Sequence, residues 1–267
     1  MTDAAEVARL YIQAQSDPTP ESISALLAHV SDDTTLKGRG TFTGPGAIAQ
    51  QLANQNTAAN FRWASWSEPK TDGNGVTVSG RLPIEATVGG YDLRFEFGAD
   101  GKIAHIEQVT LPAPPLPPSP LKLDDEMKQT IIEAWRGATI LVISVDSDGR
   151  AIPSLRGTVQ PFGDDGLAFW ARNAEGSTVG ALETNPNLTF FYRNPPARTT
   201  YIFYGRGRVT KDDKERRAVY DNSPEPERNA DPDIRGVAVI ADLDRIEGIG
   251  PNGRVLMLRN EAVGTET

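Results

Sequence analysis

Residues 111–120 read Leu111-Pro112-Ala113-Pro114-Pro115-Leu116-Pro117-Pro118-Ser119-Pro120, six prolines in ten positions. Proline holds φ at about −65° and removes a backbone donor, so neither a helix interior nor a central strand can run through this stretch. The spacing predicts a semi-rigid polyproline II spacer. A ligand for a proline-binding module is the other use of such a run. A chain of 267 residues divided here leaves two parts of ordinary domain size, 1–110 and 121–267. With 38% hydrophobic residues, each part can bury a core.

Composition excludes several classes of function. No apolar run reaches the roughly 18 residues that a membrane span needs. Residues 1–6 are acidic and start an amphipathic helix, unlike the basic, then apolar, start of a secretory leader. The absence of cysteine excludes disulfides, thiolate catalysis and cysteine metal sites, and two histidines make a histidine metal site an unpromising reading. A net charge of −9 argues against a dedicated nucleic-acid binder, though it allows a local basic pocket. The expectation is a soluble cytoplasmic protein that meets a small molecule, with no nucleic-acid or membrane partner.

In 1–110, Val7, Leu10, Tyr11 and Ala14 form one helical stripe, and Ile23, Leu26, Leu27 and Val30 form another behind the Thr19-Pro20 start. Residues 35–42 read as a hairpin around Gly38 and Gly40. Gly44-Pro45-Gly46 opens a third helix with Ile48 and Leu52. Period two then takes over: 61–66 as a strand with Trp63 and Trp66 on opposite faces; Val76, Val78, Leu82 and Ile84 on one face; a turn at Gly89-Gly90; Tyr91, Leu93, Phe95 and Phe97 on one face; and a last strand over 102–110. His29 reads as a helix-end residue. Helices followed by a curled antiparallel sheet make an α+β arrangement. The element order, with 36–38 leading to 46–48, resembles the NTF2-like cone of the SnoaL-type cyclases and ketosteroid isomerase. The resemblance implies an aspartate or histidine base inside the cone. His105, with Glu107 facing the same way, is the candidate, against a plain strand histidine.

In 121–267, 123–126 caps a helix reaching Trp135-Arg136, and 140–145 is a buried strand. Along 152–160, Ser154, Arg156 and Thr158 share one face, and Leu155 and Val159 the other. Asp164-Asp165-Gly166 is a turn, 167–172 a strand ending in Arg172, and Gly176-Ser177-Thr178 a helix start stopped by Asn185-Pro186. Strands follow at 188–193 and 199–211. Then come a helix capped by Asp212, a polar proline-broken loop at 223–233, and closing strands at 236–247 and 254–258. Many short strands with turn signals suit a small barrel.

Over 124–260 this order resembles the split β-barrel of the pyridoxamine 5′-phosphate oxidase family, which includes flavin reductases and F420-dependent oxidoreductases. The resemblance implies a homodimer with FMN, or alternatively F420, in a groove between subunits. It implies that Ser154, Arg156, Thr158, Arg172, Ser177 and Thr178 contact the cofactor, its phosphate lying between the strand arginine and the helix start. The chain departs from the pattern where many relatives carry arginine and lysine and it has Thr178 and Val179. Three functions stay open: a flavin- or deazaflavin-dependent oxidoreductase with no assigned catalytic residue; a non-catalytic small-molecule-binding protein whose barrel has lost its cofactor; and an isomerase or cyclase acting in the cone.

Overall fold

The computed structural model describes residues 3–53 and 58–259, so the readings that touched Met1, Thr2 and Asn260 lie outside the described residues. The chain divides into two units, Met1–Pro115 and Leu116–Thr267.

Unit 1 begins with α1 (Ala4–Ser16), capped by the Asp3 carboxylate accepting from the Ala5 N–H, and α2 (Pro20–Leu27), where Thr19 and Ser22 form a reciprocal capping box. There follow β1 (Val30–Lys37), β2 (Thr41–Thr43), α3 (Gly44–Leu52), α4 (Ala58–Trp63), β3 (Ser65–Trp66), β4 (Lys70–Asp72), β5 (Gly75–Arg81), β6 (Val88–Phe97) and β7 (Ile103–Pro112). The sheet runs β2-β1-β7-β6-β5-β3, with β4 also paired to β5, and β1 lies parallel to β7. Helical residues Val7, Tyr11, Leu26, Ile48 and Phe61 are buried with Val76, Val78, Tyr91, Leu93, Phe95 and Ile106 of the sheet in one core.

Three local readings change here. Of the strand read over 61–66, only 65–66 is extended; 61–63 end α4, because Ala58 and Phe61 are buried at a helical spacing, Trp63 is 57% exposed, and the Trp66 indole N–H donates to the Phe61 carbonyl at 3.0 Å. The turn between β5 and β6 falls at 83–87, with Ile84 in it, because the Ala86 N–H closes onto the Pro83 carbonyl at 3.0 Å. Gly89 and Gly90 instead lie inside β6 at a register shift. Gly90 has φ +148° and passes against the Gly80 carbonyl, where a side chain has no room. The proline run is also shorter as a spacer than its composition suggests. β7 continues to Pro112, and the Leu121 N–H donates to the Leu258 carbonyl at 2.9 Å. Prolines at sheet edges need donate nothing to a ladder.

Unit 2 comprises β8 (Ser119–Pro120), α5 (Asp125–Glu133), a 3₁₀ turn (Ala134–Arg136), β9 (Ile140–Val145), β10 (Ala151–Arg156), β11 (Gln160–Phe162), β12 (Gly166–Ala171), α6 (Ser177–Thr184), β13 (Asn187–Asn194), β14 (Thr199–Val209), α7 (Asp213–Asp221), α8 (Glu225–Asn229), β15 (Val237–Gly250) and β16 (Gly253–Leu258). The sheet path is β10-β9-β13-β14-β15-β12-β11, and β16 pairs with β15 and β8. Its two end strands, β10 and β11, are joined by only residues 157–159, a span of at most about 14 Å. The sheet therefore curls until its ends approach, as in a split barrel. Ile140, Val142, Val159, Leu167, Phe169, Phe190, Phe203 and Ile246 fill the interior. A second cluster (Ala168, Trp170, Val219, Tyr220, Ala238, Ile240) lies on the other face of β12 and β15, under α7.

Two readings of this unit are corrected. The strand read over 152–160 breaks after Arg156. Thr158 leaves the face of Ser154 and Arg156, and its buried hydroxyl donates to the Trp170 carbonyl at 3.3 Å. The segment read as a polar loop at 223–233 contains α8 and is pinned by Asp231, which is only 7% exposed. The Asp231 carboxylate accepts from the Trp170 indole N–H (3.0 Å) and from the N–H groups of Arg235 and Gly236 (2.9 Å each). The Tyr220 hydroxyl donates to the Arg228 and Asp231 carbonyls.

Candidate functional site

Antiparallel pairing of β10 with β9 places Arg156 opposite Ile140. Ile152, Ser154 and Arg156 occupy the covered face of β10, and Pro153 and Leu155 face outward. The Arg156 guanidinium stands 5.3 Å from the centroid of the buried Phe169 ring, a cation–π arrangement. Its Nη2 donates to the Thr178 hydroxyl at 3.2 Å. Its Nε is buried and has no hydrogen-bond partner. Thr178 sits in the first turn of α6, whose N-cap, Gly176, has no side chain to satisfy the first-turn N–H groups. Burial, the largest influence, lowers the Arg156 pKa; a nearby Glu227 carboxylate works against that, and the Arg172 guanidinium adds to it. Arginine stays protonated in proteins, so the result is a half-desolvated cation with an N–H unmatched.

Arg172, one residue beyond β12, donates from Nε to the Glu227 carboxylate at 2.7 Å. Glu227 reaches it because α8 is held beneath by Asp231 and Tyr220. The Asp231 carboxylate is fixed by Trp170, which shares a strand face with Arg172. Arg216 closes the arrangement, stacking on Trp170 at 5.5 Å and donating to the Gly236 carbonyl at 3.1 Å.

Of the residues singled out in the sequence, Arg156 and Thr178 are in direct contact, and Arg172 pairs instead with Glu227. Ser154 lies two residues before Arg156 on the same face, half-buried, and Ser177 is exposed at the start of α6. Thr158 is committed to the Trp170 carbonyl. Sequence reasoning missed Glu227 and Phe169. Phe169 was legible only as a strand hydrophobe, and Glu227 gave no local signal, because its partner lies 55 positions earlier. Gly137 and Ala138 line a cleft of about 590 Å³, walled also by Arg136, Tyr192 and Arg193; none of the cofactor-site residues singled out in the sequence lines it. That volume falls in the range of small-ligand sites.

Unit 1 offers less. The cavity between Leu36, Phe42, Tyr91 and Gln108 is about 20 Å³, room for roughly one water. A more open cleft of about 300 Å³ shares Gly38, Arg39, Gln108 and Thr110 with it, and Gln15 donates to the Tyr11 hydroxyl and Tyr11 to Gln108. Burial pushes the Tyr11 hydroxyl pKa up. His105 lies on the face of β7 opposite the core residue Ile106. It pairs with Thr35 across β1 and β7, Nδ1 lying 2.6 Å from the Thr35 hydroxyl, while Ile106 beside it is the core residue. Among the described residues no cluster of His, Asp and Glu could hold a metal ion, and no helix is long and apolar enough to cross a membrane.

No family model and no curated protein matches the chain. Solved structures do resemble part of it. HupZ of Group A Streptococcus covers 49% of this chain and 98% of its own, with 16% identity and a TM-score of 0.40. A Clostridium acetobutylicum protein related to general stress protein 26, of the pyridoxinephosphate oxidase family, covers 49% of this chain and 95% of its own, with 10% identity and a TM-score of 0.37. PhzG of Burkholderia lata, solved with tetrahydrophenazine-1-carboxylic acid, covers 42% and 69%, with 10% identity and a TM-score of 0.35.

Proposed function

We propose that unit 2 binds the phosphate-bearing end of a flavin or deazaflavin and that the protein is an oxidoreductase using it. The observation that carries this reading is the buried, unpartnered Nε of Arg156, a guanidinium already held by Thr178 at the start of α6. A guanidinium N–H with no acceptor, next to helix-start amides, is a donor set matched to phosphate oxygens. Arg156 and Thr178 would hold the anion, with the amides of the first α6 turn, and Ser177 stands at the edge of the same turn. When bound, the ring system supplies the hydride chemistry, while the protein supplies binding, orientation and electrostatics. The residues named here hold charge and position; no side chain among them is assigned a proton-transfer role.

Replacing Arg156 by alanine removes one to two charge-assisted hydrogen bonds of about 1.5–3 kcal/mol each, and so is expected to weaken FMN and F420 binding at least ten- to a hundredfold. Fluorescence titration of both cofactors into wild type and Arg156→Ala checks this. Equal affinities would remove Arg156 from the site, and no binding by wild type would remove the cofactor.

The reading includes a homodimer through the barrel and an NTF2-like fold for unit 1. Unit 2 leaves Ile132 50%, Trp135 42% and Leu155 71% exposed. Trp135 lies against Gly157, two residues along from Leu155. Exposed apolar side chains grouped in this way fit an interface. Light scattering at micromolar concentration is expected to give twice the chain mass, and a monomer would count against the dimer.

A further inference from the structure

From the cleft between α5 and the β13–β14 turn, we infer a second ligand site in unit 2, one that takes a short peptide with a free amine and a free carboxylate. None of the candidate cofactor residues lines this cleft, so the inference stands apart from the cofactor reading.

The cleft holds about 590 Å³. One wall is the face of α5 that carries Glu126, Thr130 and Glu133, spaced four and three apart and so aligned on one side of the helix. Another is the end of β13 with the turn into β14, which brings Tyr192, Arg193, Pro195 and Pro196. Two carboxylates and two guanidinium groups (Glu126, Glu133, Arg136 and Arg193) therefore border one space, yet among the described residues no ion pair joins any of them. Elsewhere in the unit neighbouring opposite charges do pair, as Arg172 with Glu227 and Arg208 with Glu215. Two of the four have other engagements. Glu133 accepts from the Gln129 amide at 2.5 Å, and the Arg136 guanidinium stands 5.4 Å from the centroid of the Trp135 ring. That leaves Glu126 on the helix wall and Arg193 on the strand wall. A molecule carrying both an ammonium and a carboxylate meets both, the carboxylate matching the guanidinium fork. A ligand of one charge leaves one of them unmet. The space between them is neutral. Tyr192 lines it while only 5% exposed, and its ring is held by Tyr201, stacked at 6.4 Å between centroids. The Tyr192 hydroxyl makes no hydrogen bond among the described residues, and it is not one of the sealed, unpartnered atoms, so it opens to the cleft. A fixed phenol O–H between two opposite charges suits a neutral acceptor lying between an amine and a carboxylate. A peptide carbonyl is such an acceptor, and a single amino acid has none there. Ala134, Ala138, Ala197 and Pro251 add apolar surface for the peptide's side chains.

The test uses one peptide body in three charge states: Leu-Leu, N-acetyl-Leu-Leu and Leu-Leu amide. Each is titrated calorimetrically into wild type, Glu126→Gln, Arg193→Gln and Tyr192→Phe. The pH is about 6, below the amine pKa of about 7.7–8.0 and above the carboxyl pKa of about 3.3–3.7, so both termini of Leu-Leu are charged. Wild type is expected to bind Leu-Leu about fivefold or more tighter than either blocked form, the size that one partly exposed ion pair gives. Glu126→Gln should abolish the preference over the acetylated form and keep that over the amide, and Arg193→Gln should do the reverse. General loosening of the unit does not produce that crossed pattern. Tyr192→Phe should weaken all three forms by a similar factor of about three to ten, the size of one hydrogen bond. Equal affinity of wild type for the three forms would overturn the inference. So would charge variants that change all three alike, a Tyr192→Phe variant that binds as wild type does, or absence of saturable Leu-Leu binding at millimolar concentration. No flavin enters the experiment, so none of these outcomes bears on the cofactor reading, which the FMN and F420 titrations decide.

Discussion

Replacing Asp231 by alanine is expected to destabilise unit 2 by about 3–5 kcal/mol, because three buried or half-buried donors lose one acceptor at once and each unmet donor costs about 1–3 kcal/mol. The donors are the Trp170 indole and the Arg235 and Gly236 amides. Loss of the carboxylate also frees α8, so Glu227 should release Arg172. The pH dependence has a defined sign. Burial, the largest influence, raises the Asp231 pKa, but the N–H donors of Arg235, Gly236 and Trp170 together bring it below the ordinary carboxylate value. A carboxylate depressed in the folded state contributes stability that is present above its unfolded pKa and is lost as pH falls through the folded pKa. Urea unfolding followed by circular dichroism, at neutral pH and again in acid, measures both effects. A loss under about 1 kcal/mol at neutral pH would mean that the donors find other partners and that Asp231 does not pin α8.

Replacing Phe169 by alanine is expected to cost about 3–5 kcal/mol, the range for deleting a buried aromatic ring. The ring is fully buried, packs edge-on to Phe190 at 6.3 Å between centroids, and supports the Arg156 guanidinium. Two consequences separate this substitution from an ordinary core deletion. Arg156 loses its cation–π face, so anion affinity should fall even where the variant remains folded. Phe169→Leu, which keeps most of the volume, should recover most of the stability but not that face. Parallel unfolding and FMN titrations on the two variants check both. Full anion affinity in Phe169→Leu would show that the ring only packs.

Local order carried what the sequence made legible. The α1 stripe, the Thr19 and Asp212 caps and the α6 start between Gly176 and Asn185 depend on neighbours within a few positions, and the structure has them. The face shared by Ser154 and Arg156 follows from period two over six residues. Thr158 broke that pattern because the chain must cross between the ends of the curled sheet there, a demand made by closure and not by adjacent residues. Within the strand read over 61–66, Phe61 and Trp63 fit either period, and the packing of Phe61 against Trp66 and Tyr91 goes with helix for 61–63 and strand only for 65–66. The 223–233 segment is polar and broken by prolines, which reads as a loop in isolation. Its order comes from Trp170, 61 positions from Asp231. The contact between Arg156 and Thr178 could be expected only from the family resemblance, since no local spacing links two side chains 22 positions apart.

A crystal structure of the protein grown with F420, or with FMN at saturating concentration, would locate the bound phosphate relative to Arg156. A phosphate oxygen is expected about 2.7–2.9 Å from Arg156 Nε, the distance of a charge-assisted hydrogen bond, with the first turn of α6 on its other side. A phosphate bound elsewhere, with Arg156 Nε still unpartnered, would contradict it.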